Sequence, residues 1–275
     1  MCADSGYRAT NTFTFANWGG SRYPKDALDG QEFVALFGQS NVCVAATGAV
    51  CELTKGAKAQ FDKLSGLLTN GRCEGIVVLN AMVAAGVIPA SSLQPGASGS
   101  SALSPNNRSL IAQINFWWET QFSSKVLKAS DDIRKMGLKK IVAQLGVHLN
   151  RGLFATIGIY TKTAGHALLP VGLTREPSGV YDVIVYDSNM PNKLSQLTID
   201  TVKDQWTYPI GAASPQQPPT NWTGKSGTLD MTTMASRMNI GTCDFCMDKS
   251  PSGFKIPVTP MTVPSAGIVS SKLGG

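Results

Sequence analysis

Three residues of this chain have types and surroundings suited to acyl-transfer chemistry: Cys73, His166 and Asp187. Cys73 lies in Thr69-Asn70-Gly71-Arg72-Cys73-Glu74-Gly75, directly ahead of the apolar run at 76–85. A Gly-containing turn followed by that run predicts a thiol at the first turn of a buried helix. Unpaired backbone N–H groups and the positive end of the helix dipole lie there. The position favours thiolate, the nucleophilic form of the side chain. A structural cysteine gains nothing from it.

The chain has two histidines, His148 and His166. His166 opens an apolar stretch, Gly165-His166-Ala167-Leu168-Leu169-Pro170-Val171-Gly172-Leu173, which reads as a strand. A turn at 174–179 leads to a second strand, 180–186, followed by Asp187-Ser188-Asn189. In an antiparallel hairpin the start of one strand neighbours the end of the next, so His166 and Asp187 are expected side by side. A carboxylate there fixes the imidazole tautomer and leaves the other ring nitrogen for Cys73. Taken singly, a lone His is more often structural and an Asp after a strand is usually a turn residue. The order and spacing of the three together point to catalysis. His148, near an expected helix end, reads as a capping or surface residue.

The elements that must position these residues come helices first. Residues 28–37 read as a short helix stopped by Gly38, and Phe61, Leu64 and Leu68 recur at helical spacing before Asn70-Gly71. The buried helix follows from 73 to 85, ended by Gly86 and Pro89. Residues 91–106 are rich in Ser, Pro, Gly and Asn and read as a surface loop. Leu110, Ile114, Trp117, Trp118 and Phe122 form an apolar helical stripe, with the tryptophans as core or cleft wall. Past residue 150 strand formers take over at 153–160, then in the hairpin, with further strands at 196–201 and 227–232. Pro170 cannot donate to a ladder, so a bulge or edge is expected there. From Pro209 onward the rest reads as loop. No internal repeat is seen.

On these residues the sequence resembles the papain-like cysteine peptidase superfamily, in particular bacterial members with Gly-x-Cys-x-Gly opening the central helix, then Gly-His-Ala, then Tyr-Asp-x-Asn. Here those are Gly71-Arg72-Cys73-Glu74-Gly75, Gly165-His166-Ala167 and Tyr186-Asp187-Ser188-Asn189. The resemblance runs from about Ala27 to Cys246. It implies an α+β fold in which an N-terminal helical half, with a buried central helix, packs on a C-terminal antiparallel sheet. It implies one peptidase domain at 1–246, its helical half at about 27–150 and its sheet half at about 151–235, with an extended Pro/Gly/Ser-rich tail at 247–275. Cys73 would be the nucleophile, His166 the general base and acid, and Asp187 the orienting residue, with Asn189 as its substitute. The family places a Gln about six residues before the Cys to bind the oxyanion; here Leu67 stands there. Asn70 is the nearest amide and, with the Cys73 backbone N–H, is expected to serve. Glu74 reads as a complement to the helix dipole or a binder of a cationic group.

The implied reaction is cleavage of a peptide or isopeptide bond in a protein or peptide substrate, without metal or other cofactor. A silent papain-fold domain binding peptide or glycan, and an acyl transferase or transglutaminase, are the alternatives.

Composition bounds the rest. The 275 residues are long for one domain and short for two, against a prior of about 150 per domain. With 43% hydrophobic and 15% charged residues, a core is well supplied. The net charge of +6 owes much to Lys125, Lys128, Arg134, Lys135, Lys139 and Lys140, interleaved with Asp131 and Asp132. That reads as a solvated helical face; no motif suggests nucleic-acid binding. The apolar stretch at 76–90 is too short and too interrupted to span a membrane. Met1 to Ser5 lack signal-peptide features, so the protein is cytosolic or a leader has been removed; the latter, with secretion or cell-surface display, is favoured. Cys2 would suit a lipid-modified mature terminus.

Of six cysteines, Cys43 and Cys51 flank a short loop that a disulfide would close, stabilising by about 2–3 kcal/mol. Cys243-Asp244-Phe245-Cys246 leaves disulfide, half a zinc site and redox pair open. Asn107-Arg108-Ser109 and Asn221-Trp222-Thr223 fit the glycosylation sequon. Leu273-Gly274-Gly275 resembles a Gly-Gly processing site.

Overall fold

The computed structural model describes residues 3–23, 25–47, 49–210, 220–238 and 241–264. Met1, Cys2 and the Gly-Gly end at 273–275 lie outside them.

Helices dominate the first half. They are α1 (Gly30–Phe37), α2 (Gln39–Val42), α3 (Lys55–Leu68), α4 (Cys73–Ala84), α5 (Ala90–Leu93), α6 (Arg108–Glu119), α7 (Ser124–Arg134) and α8 (Leu138–Asn150). α9 (Met234–Arg237) comes late. The strands are β1 (Ala3–Asp4), β2 (Cys43–Thr47), β3 (Val50–Thr54), β4 (Ala155–Tyr160), β5 (Gly165–Arg175), β6 (Val180–Asp187), β7 (Leu194–Asp200), β8 (Gln205–Ile210), β9 (Thr220–Gly224), β10 (Leu229–Thr233) and β11 (Pro251–Pro257). The fold is mixed α+β with a curled antiparallel sheet. That sheet runs β10-β4-β5-β6-β7-β8-β9, with β1 on β5, and β11-β3-β2 form a second, small sheet.

α4 is apolar all round, and Ile76 to Met82 are fully or almost fully buried. A helix without a polar face has to be enclosed, and here α6 and β5 enclose it. Contact with α6 is so close that a Cβ on Gly75 would collide with the Ile114 carbonyl oxygen and lie 2.9 Å from the Trp118 nitrogen. Trp117 and Trp118 belong to this core. A second core fills the curl of the sheet: Leu138, Ile141, Val142 and Leu145 of α8 pack on Ile157, Leu168, Val183, Val185, Trp206 and Tyr208.

β5 serves both cores. Ala167 and Leu169 face the helical core, and Leu168 faces the sheet's own. The register against β6 shifts between Pro170 and Gly172, so Val171 still faces the helices while Leu173, two residues on, faces the second core. The expected irregularity at Pro170 is therefore a bulge that exchanges the two faces of the strand.

Several boundaries differ from expectation. The first helix begins at Gly30, because Asp29 caps it by accepting the Gln31 N–H at 2.9 Å. The 91–106 stretch includes the end of α5 and a 3₁₀ turn (Ser100–Ala102), pinned by buried Leu93, Ala97 and Leu103. The region beyond Pro209 is not all loop: β9, α9 and β11 lie in it. β11, within the expected tail, pairs with β3, and Ile256 is buried against Gly30. Polar and Gly/Pro-rich residues, Pro251-Ser252-Gly253, open that strand and hide it from hydrophobic periodicity. Cys43 and Cys51 are disulfide-bonded across β2 and β3, and Cys243 pairs with Cys246, which resolves that CxxC as a disulfide.

Candidate functional site

Cys73 is the first residue of α4, half-buried, and the only free cysteine among the described residues. Gly71, at φ 137°, makes the turn from α3 into α4, a backbone conformation that side chains other than hydrogen rarely adopt. Arg72 is the N-cap and is 1% exposed. Its guanidinium donates to the Asp26 carbonyl at 2.6 Å, the Trp18 carbonyl at 3.3 Å, the Gly20 carbonyl at 3.4 Å and Asn115 Oδ1 at 3.2 Å. It also lies over the Trp18 ring. Burial lowers the Arg72 pKa to about 10, opposed by the Asp26 charge. One buried cation thus holds Trp18, Gly20 and Asp26 beside the head of α4.

His166 and Asp187 meet as their strands require. Leu168 pairs with Asp187, and His166, two residues along, shares its face and lies within diagonal reach. His166 Nε2 and Asp187 Oδ1 are 2.7 Å apart in a buried setting. Nε2 is engaged by Asp187, and the Cys73 side chain is near enough to the ring to help hold its proton. Burial pushes the His166 imidazolium down, but the Asp187 charge and hydrogen bond, aided by Cys73, hold it well above the usual histidine range. Burial likewise pushes Asp187 up; the His166 charge and the bonds from His166, the Asn189 N–H and Tyr208 outweigh it and hold the carboxyl below its usual value. Both shifts describe one imidazolium–carboxylate pair.

Asn189 does not replace Asp187. Its backbone N–H donates to Asp187 Oδ1 at 2.7 Å, and its side-chain oxygen accepts from Asn17 Nδ2 at 3.1 Å. Asn70 is exposed in the turn between α3 and α4, and no hydrogen bond among the described residues ties its side chain to the other site residues. The amide that reaches the helix start is Asn17, whose Oδ1 accepts the Arg72 N–H at 2.8 Å. The Asn17 N–H also donates to the Ser188 carbonyl at 2.7 Å. Asn17 therefore bridges the turn before Cys73 and the turn after Asp187. Sequence reasoning missed it because it lies 55 residues before Arg72 in an irregular segment.

Comparison with protein-family models, curated proteins and solved structures finds no match for this chain. The residues themselves are the basis for a functional reading.

Glu74 has a partner within the chain. It is buried and ion-paired with Arg237 of α9, and its Oε1 accepts the Thr156 hydroxyl at 3.2 Å. From the first turn of α4 it thus links that helix to β4 and α9. A cavity of about 230 Å³ opens beside it, lined by Glu74, Phe122, Val126, Arg134, Tyr160 and Asp230 among others. A larger cavity of about 530 Å³ lies around Arg108, Gln113 and Met261, and no triad residue lines it. Its size does not place it at the chemistry. His148 is half-buried in the last turn of α8, lowered by burial and then by the Arg151 charge, and stands apart from the site.

Among the described residues no group of three or more His, Cys, Asp or Glu side chains is placed to hold a metal ion. None of the described helices is long and apolar enough to cross a membrane.

Proposed function

We propose that the protein is a papain-like cysteine hydrolase that cleaves a peptide or isopeptide bond through Cys73, His166 and Asp187. The observation that carries the reading is His166, hydrogen-bonded to Asp187 and influenced by a nearby free cysteine at the head of a buried helix. A helical half bearing the nucleophile and a sheet bearing the base and its orienter match the layout the resemblance implies.

In this reading Cys73 gives its thiol proton to His166 Nδ1, and the thiolate sulfur attacks the carbonyl carbon of the scissile amide. The developing oxyanion meets the Cys73 backbone N–H and the Asn17 amide, which takes the role expected of Asn70. His166 Nδ1 gives its proton to the leaving amine, and the acyl group stays on sulfur as a thioester. His166 then takes a proton from water, which attacks the thioester and frees the acid. Asp187 keeps Nε2 protonated and the ring aligned throughout. A protein or peptide is the proposed substrate. Two disulfides favour an oxidising compartment, consistent with secretion or cell-surface display.

Labelling with a thiol-directed covalent peptide probe tests the proposal. Cys73 is expected to be the modified residue, with labelling lost in Cys73→Ala and strongly reduced in His166→Ala. Undiminished modification or hydrolysis by Cys73→Ala would falsify the assignment.

A further inference from the structure

We propose that Tyr208 is a positioning residue of the triad, holding the Asp187 carboxylate against His166 by donating its hydroxyl to the second oxygen. This rests on the hydrolase reading for its purpose, though the contact itself does not.

The Tyr208 hydroxyl and Asp187 Oδ2 are 2.7 Å apart, both buried. The other oxygen, Oδ1, is already shared between His166 Nε2 and the Asn189 N–H, each at 2.7 Å. Three donors therefore meet the two oxygens, and the carboxylate plane is fixed by partners on either side. Asp187 and Tyr208 are each enclosed, so water does not readily replace a lost donor. Tyr208 itself is fixed: it sits in β8, its ring packs in the core inside the curled sheet, and its backbone register against β9 pairs it with Trp222. Burial, then the Asp187 charge, push its phenol well above the usual tyrosine value, so it stays protonated and acts only as a donor toward the carboxylate.

Chemically, the arrangement divides labour. The Asn189 N–H comes from the turn that Asp187 itself opens and moves with it, whereas Tyr208 belongs to a strand 21 residues further on. Tyr208 thus ties the orienting residue to a strand two places along the sheet, with β7 between. Removing its hydroxyl leaves Oδ2 buried without its donor, which destabilises the ionised form. The carboxyl should then take a proton at higher pH, and the imidazole should lose its fixed partner.

The test is an NMR titration of the ¹³C-labelled Asp187 carboxyl, assigned with Asp187→Asn, in wild type and Tyr208→Phe. The midpoint is expected to rise by about one pH unit when the hydroxyl is removed. Alkylation of Cys73 at neutral pH should slow in Tyr208→Phe, and the same substitution should have little further effect in an Asp187→Asn background. A native-like Tyr208→Phe protein with an unmoved Asp187 midpoint overturns the proposal, as does equal slowing in both backgrounds. A merely structural tyrosine would change melting without moving that midpoint. Should Tyr208→Phe fail to fold, the wild-type hydroxyl proton provides the measurement: it should exchange slowly and shift as Asp187 titrates, and a hydroxyl signal indifferent to Asp187 overturns the idea. If Cys73 proves unreactive while the Asp187 midpoint still depends on Tyr208, the hydrolase reading fails and the contact stands.

Discussion

The side-chain oxygen of Asn17 accepts the Arg72 N–H at 2.8 Å, one residue before the sulfur of Cys73. Its amide nitrogen donates to Asn189 Oδ1 at 3.1 Å, so a residue from the N-terminal segment joins the two halves of the site. The amide has a second N–H, and Asn17 is half-buried, next to the Cys73 turn. A preorganised donor there acts on charge that develops only in the transition state.

Asn17→Ala is accordingly expected to lower kcat by about 10²-fold on any amide that the wild type turns over. Labelling at Cys73 should persist, because an alkylating probe develops no oxyanion in need of the amide. Asn70→Ala should leave both measurements close to wild type. Equal activity in Asn17→Ala and wild type, with Asn70→Ala impaired, would return the role to Asn70.

Much of this was legible from sequence wherever the governing interactions were local. A Gly-containing turn before a ten-residue run with nine apolar residues is enough to place Cys73 at a helix start. A single hairpin puts the start of β5 beside the end of β6, so His166 comes near Asp187 even though the bulge at Pro170 shifts the register by one residue. What escaped has partners far off in the chain. Glu74 finds Arg237 at a separation of 163 residues, and nothing near Glu74 foretells a buried cation. Asn17 lies in an aromatic, Gly-rich segment with no periodicity. β8 carries Tyr208 but also Pro209, which read as the onset of loop; as the residue nearly at the strand's end, that proline is tolerated.

The His166–Asp187 pair should be visible in stability as well as in chemistry. His166 is raised above its ordinary 6.5, so its contribution is complete below that value and is lost as pH climbs toward the folded-state pKa. Asp187 is held below its ordinary 3.8, so its contribution is complete above 3.8 and is lost as pH falls toward the lower folded-state value. Both are in force together between 3.8 and 6.5. Urea unfolding of wild type and His166→Gln, with disulfides intact, should show the largest wild-type advantage in that interval and a shrinking one on the alkaline side. An advantage that grows above pH 6.5 would contradict the direction of the His166 shift.

Glu119 makes a different prediction, about a group the site does not use. It closes α6, is 0% exposed, and neither carboxylate oxygen has a hydrogen-bond partner. Burial, reinforced by the nearby Glu32 and Asp29 carboxylates, raises its pKa well above the usual glutamate value. Glu32 is pushed up to about 9, by burial first and then by Asp29, despite its ion pair with Arg108. A carboxyl raised by folding binds a proton that the unfolded chain has already released, so it weakens the fold progressively as pH rises above the ordinary value. Methionine at 119 has similar length, needs no hydrogen bonds and carries no charge. Glu119→Met should therefore raise the urea midpoint, by about 1–3 kcal/mol in unfolding free energy near neutral pH. The gain should be larger at pH 8 than at pH 5, because only the wild type is penalised on the alkaline side. Equal midpoints at both pH values would mean that Glu119 has a partner or a solvent path that its burial does not suggest.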